Sequence, residues 1–261
     1  MALLQSSRIV VLHLTKYGDS GLVVHTIDSE AGRCSYMLRG VGRASRGSSR
    51  VSARGSSVSV GSFHNLAVLD IVSVANPRSS MALIKDYEPA LRLYSLRSDV
   101  VKNTIALFIS ELLYRTVVEQ NCDERLFDWL CDTIARLNAA GTDADAAGVT
   151  AAGASDAGAA GTPSTETSVA NFHLWFLAGF CTVMGFGPAR EGLFDGCDLL
   201  RADNLALLRQ LTAADFPDAM AIPLTGSRRR DFCEQMVRYI SYHLGINVSL
   251  RSLDALHDLY R

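Results

Sequence analysis

Short runs of β-branched and alternating apolar residues open the chain. RIVVLHL (Arg8 to Leu14), LVVHTI (Leu22 to Ile27) and CSYMLRGV (Cys34 to Val41) are separated by Tyr17-Gly18-Asp19-Ser20-Gly21 and Glu30-Ala31-Gly32. Period-two patterning with separators of hairpin length predicts three consecutive strands. After a long Gly/Ser/Arg stretch, LAVLDIVSV (Leu66 to Val74) supplies a fourth strand and Ser80 to Lys85 a fifth. Five short strands in about 85 residues predict a small antiparallel barrel, of OB type by strand count and size.

Beyond that point the period changes. Val101, Ile105, Phe108 and Leu112 recur at helical spacing, with Ser98 or Asp99 as the N-cap, and Leu126, Leu130, Ile134 and Leu137 mark a second amphipathic helix. Further helices are predicted at Val169 to Met184, Asn204 to Leu211, Arg228 to Leu244 and Leu253 to Tyr260, each bounded by Gly, Pro or a capping residue. The stretch from Asn138 to Ser168 holds small and acidic residues with no aromatic and no basic one, the composition of a disordered surface insertion. The expected organisation is therefore α+β: an OB-type barrel over residues 1–85, then an all-α domain over 86–261 that contains an Ala/Gly-rich insertion at 139–168.

Composition alters this picture through the distribution of charge. The formal net charge is -2, which by itself argues against a nucleic-acid binder. Residues 1–80, however, carry nine basic side chains against four acidic ones, and the remainder carries 16 against 23. A basic module is joined to an acidic body, which makes polyanions the first partner to consider.

Between Glu30 and Asp70 there is no acid, while Arg33, Arg39, Arg43, Arg46, Arg50 and Arg54 place six guanidinium groups on the third strand and the stretch after it. Arginine's planar fork matches phosphate oxygens, and the interleaved Gly and Ser residues let backbone N–H groups approach a sugar-phosphate chain. Against this stands a solvated loop in a chain that has only three lysines. Lys16 and Tyr17 stand at the first hairpin; Tyr17 is the best base-stacking candidate, or else a barrel-cap residue. Aromatic residues are otherwise scarce here, so backbone binding with little sequence preference follows better than base readout.

Two more cationic features fall in the helical part. Arg228, Arg229 and Arg230 stand at a predicted helix start, where cations oppose the helix dipole unless an anion or a carboxylate such as Asp231 compensates. Arg115 continues the Val101, Ile105, Phe108, Leu112 stripe onto the core-facing side. It reads either as half of an internal ion pair or as part of a mixed apolar and cationic pocket for an acidic peptide.

Enzymatic constellations are absent from the sequence: there is no HExxH pair, GxSxG elbow or GxxxxGK[ST] loop, and Gly40-Val41-Gly42 lacks the third glycine of a dinucleotide site. Six cysteines occur without a CxxC pair, so no zinc site and no cofactor are expected. No apolar run approaches the length of a membrane span, and the N-terminus has no charged leader, so a cytoplasmic protein is expected.

The order of motifs resembles the RecO family of bacterial recombination mediators. Tyr17-Gly18-Asp19-Ser20, Glu30-Ala31-Gly32-Arg33 and Arg39-Gly40-Val41-Gly42-Arg43, alternating with strands, look like its N-terminal domain. VKNTIALFISELLYR, LFDWL, NFHLWFLAGFCTVMGFGP and HLGINVSLRSLDAL resemble its helical part, particularly in the Bacteroidetes branch. The resemblance implies a non-enzymatic protein of DNA repair that binds single- and double-stranded DNA and anneals complementary strands. It also implies work at the nucleoid with RecR and the C-terminal tail of the single-stranded DNA-binding protein, during RecA loading. Arg39 and Arg43 match the family's basic strand end, and Arg115 matches an arginine in its ELLxR pattern. Many relatives carry a four-cysteine zinc site after Gly187-Pro188; this chain offers only Cys197 there. Two other readings stay open on the residues alone: an adaptor whose basic loop binds an acidic protein, and an RNA-binding OB module.

Overall fold

The computed structural model describes residues 4–18, 21–39, 60–75, 81–118, 123–141, 169–187 and 200–259. Five strands, β1 (Leu4–Tyr17), β2 (Gly21–Asp28), β3 (Gly32–Arg39), β4 (Val68–Val74) and β5 (Ala82–Pro89), close into a barrel in the order β1-β2-β3-β5-β4. This is the OB-type barrel that the pattern predicts, with one correction. The β3–β5 pair is parallel, through Tyr36↔Ala82 and Met37↔Leu83. A ring of five strands cannot alternate direction all the way round, so one neighbouring pair must be parallel.

β1 is longer than its apolar run because it serves two partners. Its first half pairs with β4, from Leu4↔Val74 to Val10↔Val68, and its second half with β2, ending at Tyr17↔Gly21. The core takes alternate residues of every strand, among them Ile9, Val11, Val24, Leu38, Leu69 and Ile71. Phe63 joins it after the short 3-10 turn Val60–Ser62.

At the β2–β3 turn a buried carboxylate organises the chain. Asp28 accepts from the hydroxyls of Ser7 and Tyr36, each at 2.6 Å, and from the backbone N–H groups of Glu30 and Ala31 at 2.8 and 3.0 Å. Burial and the bond to Asp28 raise the Tyr36 phenol well above its ordinary value, so it remains a donor.

By compactness the chain divides into two units, one made of Met1–Leu93 and Ile109–Cys131, the other of Tyr94–Phe108 and Asp132–Arg261. The helices among the described residues are α1 (Tyr94–Ser98), α2 (Val100–Thr116), α3 (Glu124–Ala139), α4 (Phe172–Val183), α5 (Ala202–Ala213), α6 (Phe216–Ala221), α7 (Gly226–Leu244) and α8 (Ser252–Leu259). Asp99 rather than Ser98 caps α2, its carboxylate accepting from Val101 N at 2.7 Å and Lys102 N at 3.1 Å. Thr225 caps α7, which starts two residues ahead of the predicted Arg228, and Gly245 ends it at φ 64°, where a side chain would be strained. None of these helices is long and apolar enough to cross a membrane. The predicted insertion lies almost wholly outside the described residues.

In the second unit α4 is buried on nearly every side and packs against α5, α6 and α7. Asn171 stands at its N-terminus. Its amide donates to the carbonyls of Ala219, Met220 and Ile222 at the end of α6, and its own oxygen accepts from Arg229 Nε at 2.9 Å.

His173, the second residue of α4, is 2% exposed and meets the Phe108 ring edge-on. Burial, followed by the nearby Arg229 charge, pushes its imidazole down to about 3. The unfolded chain protonates this residue near its ordinary value of 6.5, whereas the folded chain does not until about pH 3. Stability at this site is therefore complete above pH 6.5 and falls as pH drops towards 3, with a slope of up to ~1.4 kcal/mol per pH unit. Chemical denaturation at pH 7 and pH 5 should show the lower stability at pH 5, and His173→Phe should remove part of that difference. An equal pH dependence in the variant would assign it elsewhere.

Candidate nucleic-acid interface

Hairpin register decides what gathers at the barrel's end. Tyr17 pairs with Gly21, and Gly21 pairs with Arg39, so these three residues form one row across β1, β2 and β3 on the side away from the core. Lys16 lies in the adjoining row with Leu22 and Leu38. Lys16, Tyr17 and Arg39 are all exposed, Tyr17 by 56%.

Gly21 in the middle of the row is a requirement of space. A Cβ there would stand 2.6 Å from the backbone oxygen of Tyr17 and 3.7 Å from its ring. The absent side chain makes room for the Tyr17 carbonyl where the hairpin closes. Arg39 is steadied from below, its Nε donating to Met37 Sδ at 3.4 Å. The row thus offers one aromatic face and one forked cation at the point where the arginine stretch begins. Arg43, Arg46, Arg50 and Arg54 lie outside the described residues.

Arg33 occupies the other end of β3, six positions from Arg39 and ~20 Å along the strand. Its guanidinium sits over the Tyr114 ring at 5.3 Å, and that ring also contacts His13 and His25. The two imidazoles stack at 5.7 Å, and His25 is held by Thr15 Oγ1 at 3.1 Å and Ser35 Oγ at 2.9 Å. Nothing in the sequence pairs these residues; the cluster follows from strand register and from Tyr114 on α2.

The remaining arginines are placed differently from the sequence pattern. Arg115 leaves the buried stripe, which continues to Thr116, and is itself exposed, paired with Glu111 at 3.4 Å. A step of four from Leu112 stays on the buried face, whereas the step of three reaches its border. Val118, 69% exposed, lies three residues further on. Arg228 bonds to the Asn204 side chain, Asp231 at 3.1 Å and Asp203 at 3.4 Å, Arg229 holds Asn171, and Arg230 pairs with Glu234 at 3.0 Å. Neighbouring carboxylates thus offset the opposition between cations and the α7 dipole. Among the described residues no three His, Cys, Asp or Glu side chains gather as metal ligands would.

Comparison with known proteins bears on the whole chain. Residues 97–151 match the family described as "Recombination protein O C terminal". The DNA repair protein RecO of Christiangramia forsetii is 23% identical over 97% of this chain and 98% of its own length. The RecO of Porphyromonas gingivalis is 26% identical with the same coverage, and that of Bacteroides fragilis 24% over 99% of this chain and all of its own. The chain is thus similar along nearly its whole length to DNA repair proteins RecO. The Bacteroidetes RecO proteins match it through both the barrel and the helical part, as the resemblance in the motifs implies. Tyr17, Arg39 and Lys16 stand at the barrel end of β1 and β3, inside the span that these relatives match.

Proposed function

We propose that this chain is a non-enzymatic recombination mediator that binds single- and double-stranded DNA along the Lys16, Tyr17 and Arg39 end of its barrel. Arg43, Arg46, Arg50 and Arg54 extend that contact. It anneals complementary strands and, with RecR, helps load RecA on DNA coated by the single-stranded DNA-binding protein. The observation that carries the reading is the joining of two facts: end-to-end similarity to DNA repair proteins, and an exposed aromatic and cationic row that leads into a stretch of arginines without an acid. Phosphate contacts of this kind give affinity without sequence preference. A fluorescent 30-mer titrated as single-stranded DNA, duplex DNA and RNA at two salt concentrations tests it. Steeply salt-dependent DNA binding is expected. Tight binding to RNA alone would favour an RNA-binding OB module, and no binding to any of the three would favour an acidic protein partner.

Arg115 is proposed as the contact for the acidic C-terminal tail of the single-stranded DNA-binding protein, because an exposed guanidinium next to the exposed Val118 combines charge with apolar surface. Arg115→Ala should weaken binding of a labelled tail peptide several-fold and leave affinity for naked DNA unchanged. Unchanged tail binding would move the contact to another site, with Arg230 on α7 the next residue to replace.

A further inference from the structure

We propose that the outer face of β1, β4 and β5 is a docking surface for a second copy of this chain, which it grips through that copy's arginine stretch, residues 39–54. The register sets out the face. Arg8, Asp70 and Glu88 form one row across the three strands, and Ser6, Val72 and Asp86 form the next. Leu4 and Val74 follow, with Leu4 66% exposed. Beside these rows runs a trough of about 520 Å³ lined by Ser6, Asp70, Val72, Asp86, Tyr87 and Glu88, and a second hollow of about 420 Å³ lined by Arg8, Glu30, Asp70, Glu124, Phe127 and Asp128.

Acidic side chains outnumber basic ones on this face. Arg8 holds Asp70 through two bonds of 2.7 and 2.9 Å. Lys85, which is exposed, falls at the β4–β5 register irregularity between the Ile84 and Asp86 pairs, and Lys16 stands at the far end of β1. Asp86 accepts from the N–H of its own neighbour Tyr87 at 2.9 Å. The surface is thus an open, elongated hollow with acidic walls and small apolar patches. It suits an extended cationic segment with little side-chain bulk between its charges.

The chain itself carries such a segment. From Arg39 to Arg54 it presents Arg39, Arg43, Arg46, Arg50 and Arg54 among glycines, serines, alanines and valines, with no acid. Complementary patches at different places on one chain make a head-to-tail contact between copies. The proposal rests on the arginine stretch being free to meet a polyanion, as the DNA-binding reading requires. DNA phosphates and the acidic face would then compete for it, so that the copies associate when DNA is scarce and separate when it is bound.

Sedimentation of the full chain from low to high micromolar concentration tests the proposal. At low salt the chain should self-associate, and added salt or the single-stranded 30-mer should dissociate it. Asp86→Lys with Glu88→Lys should weaken self-association about tenfold or more without weakening DNA binding at nanomolar protein. Arg46→Glu with Arg50→Glu should weaken both. Mixing the two double variants should restore association, because each then offers what the other lacks. A monomer at all concentrations overturns the proposal, as does association that survives reversal of the acidic face. If the arginine variant no longer associated but kept full DNA binding, the docking surface would stand and the DNA-binding reading would fail.

Discussion

Replacing Arg39, Arg43 and Arg46 together by alanine should weaken binding to DNA of unrelated sequences alike and flatten its dependence on salt. Every phosphate that a guanidinium no longer neutralises takes about 0.9 off the slope of log affinity against log salt on duplex DNA, so three arginines account for about 2.7. Arg39 is exposed at the strand end, where its Nε donates to Met37 Sδ, so its removal leaves the barrel core intact. Titrations of labelled duplex and single-stranded 30-mers at four salt concentrations measure the slope directly. If a folded triple variant kept both affinity and slope, the strand end would not be the DNA contact. Tyr17→Ala separates the two parts of the row: a stacking ring contributes ~1–3 kcal/mol per unpaired base, so the single strand should suffer and the duplex should not.

The largest expected loss of stability belongs to Asp28→Ala. Four donors converge on this carboxylate, two hydroxyls and two backbone N–H groups, in a site that is 1% exposed. Truncation leaves them facing a void, and each buried group without a partner costs ~1–3 kcal/mol. A total of about 3 kcal/mol or more follows once water reaches some of them. Asp28→Asn should cost less, since its oxygen can still serve the turn N–H groups while the Ser7 and Tyr36 hydroxyls rotate. Urea denaturation of the three proteins gives the ranking. Equal stability in all three would mean that the turn is held by its backbone alone.

These two sites also show what the sequence reveals and what it conceals. The strands, their order along the chain and the arginine stretch are legible because period-two patterning and unopposed charge are local properties. The row of Tyr17, Gly21 and Arg39 is half legible: the residues are conspicuous, but their alignment depends on hairpin register. Asp28 looks like an ordinary turn acid, because its donors Ser7 and Tyr36 come from strands 21 residues before it and 8 after it. Arg115 shows the opposite error. Counting by threes and fours places it on the buried stripe, yet the true arc closes on Thr116, which is 2% exposed, and the arginine turns outward. The triplet at the start of α7 reads as free charge until folding brings Asn171, Asn204 and Asp203 to it. The parallel β3–β5 pair is a topological necessity of an odd ring, which no local pattern encodes.

The connection from β3 to β4 bears on how much of the chain can be changed. β3 ends at Arg39 and β4 begins at Val68 after the turn at Val60–Ser62, so the arginine stretch lies inside a circuit whose two ends the barrel fixes. The entropy of closing such a circuit varies only with the logarithm of its length, by about 0.6 kcal/mol for each doubling. Residues between Gly40 and Ser59 can therefore be inserted or removed at small thermodynamic cost, provided that the span can still be bridged. Charge on this circuit and stability of the barrel are almost independent variables, and the number of arginines can drift or be engineered while the strands that frame them stay the same.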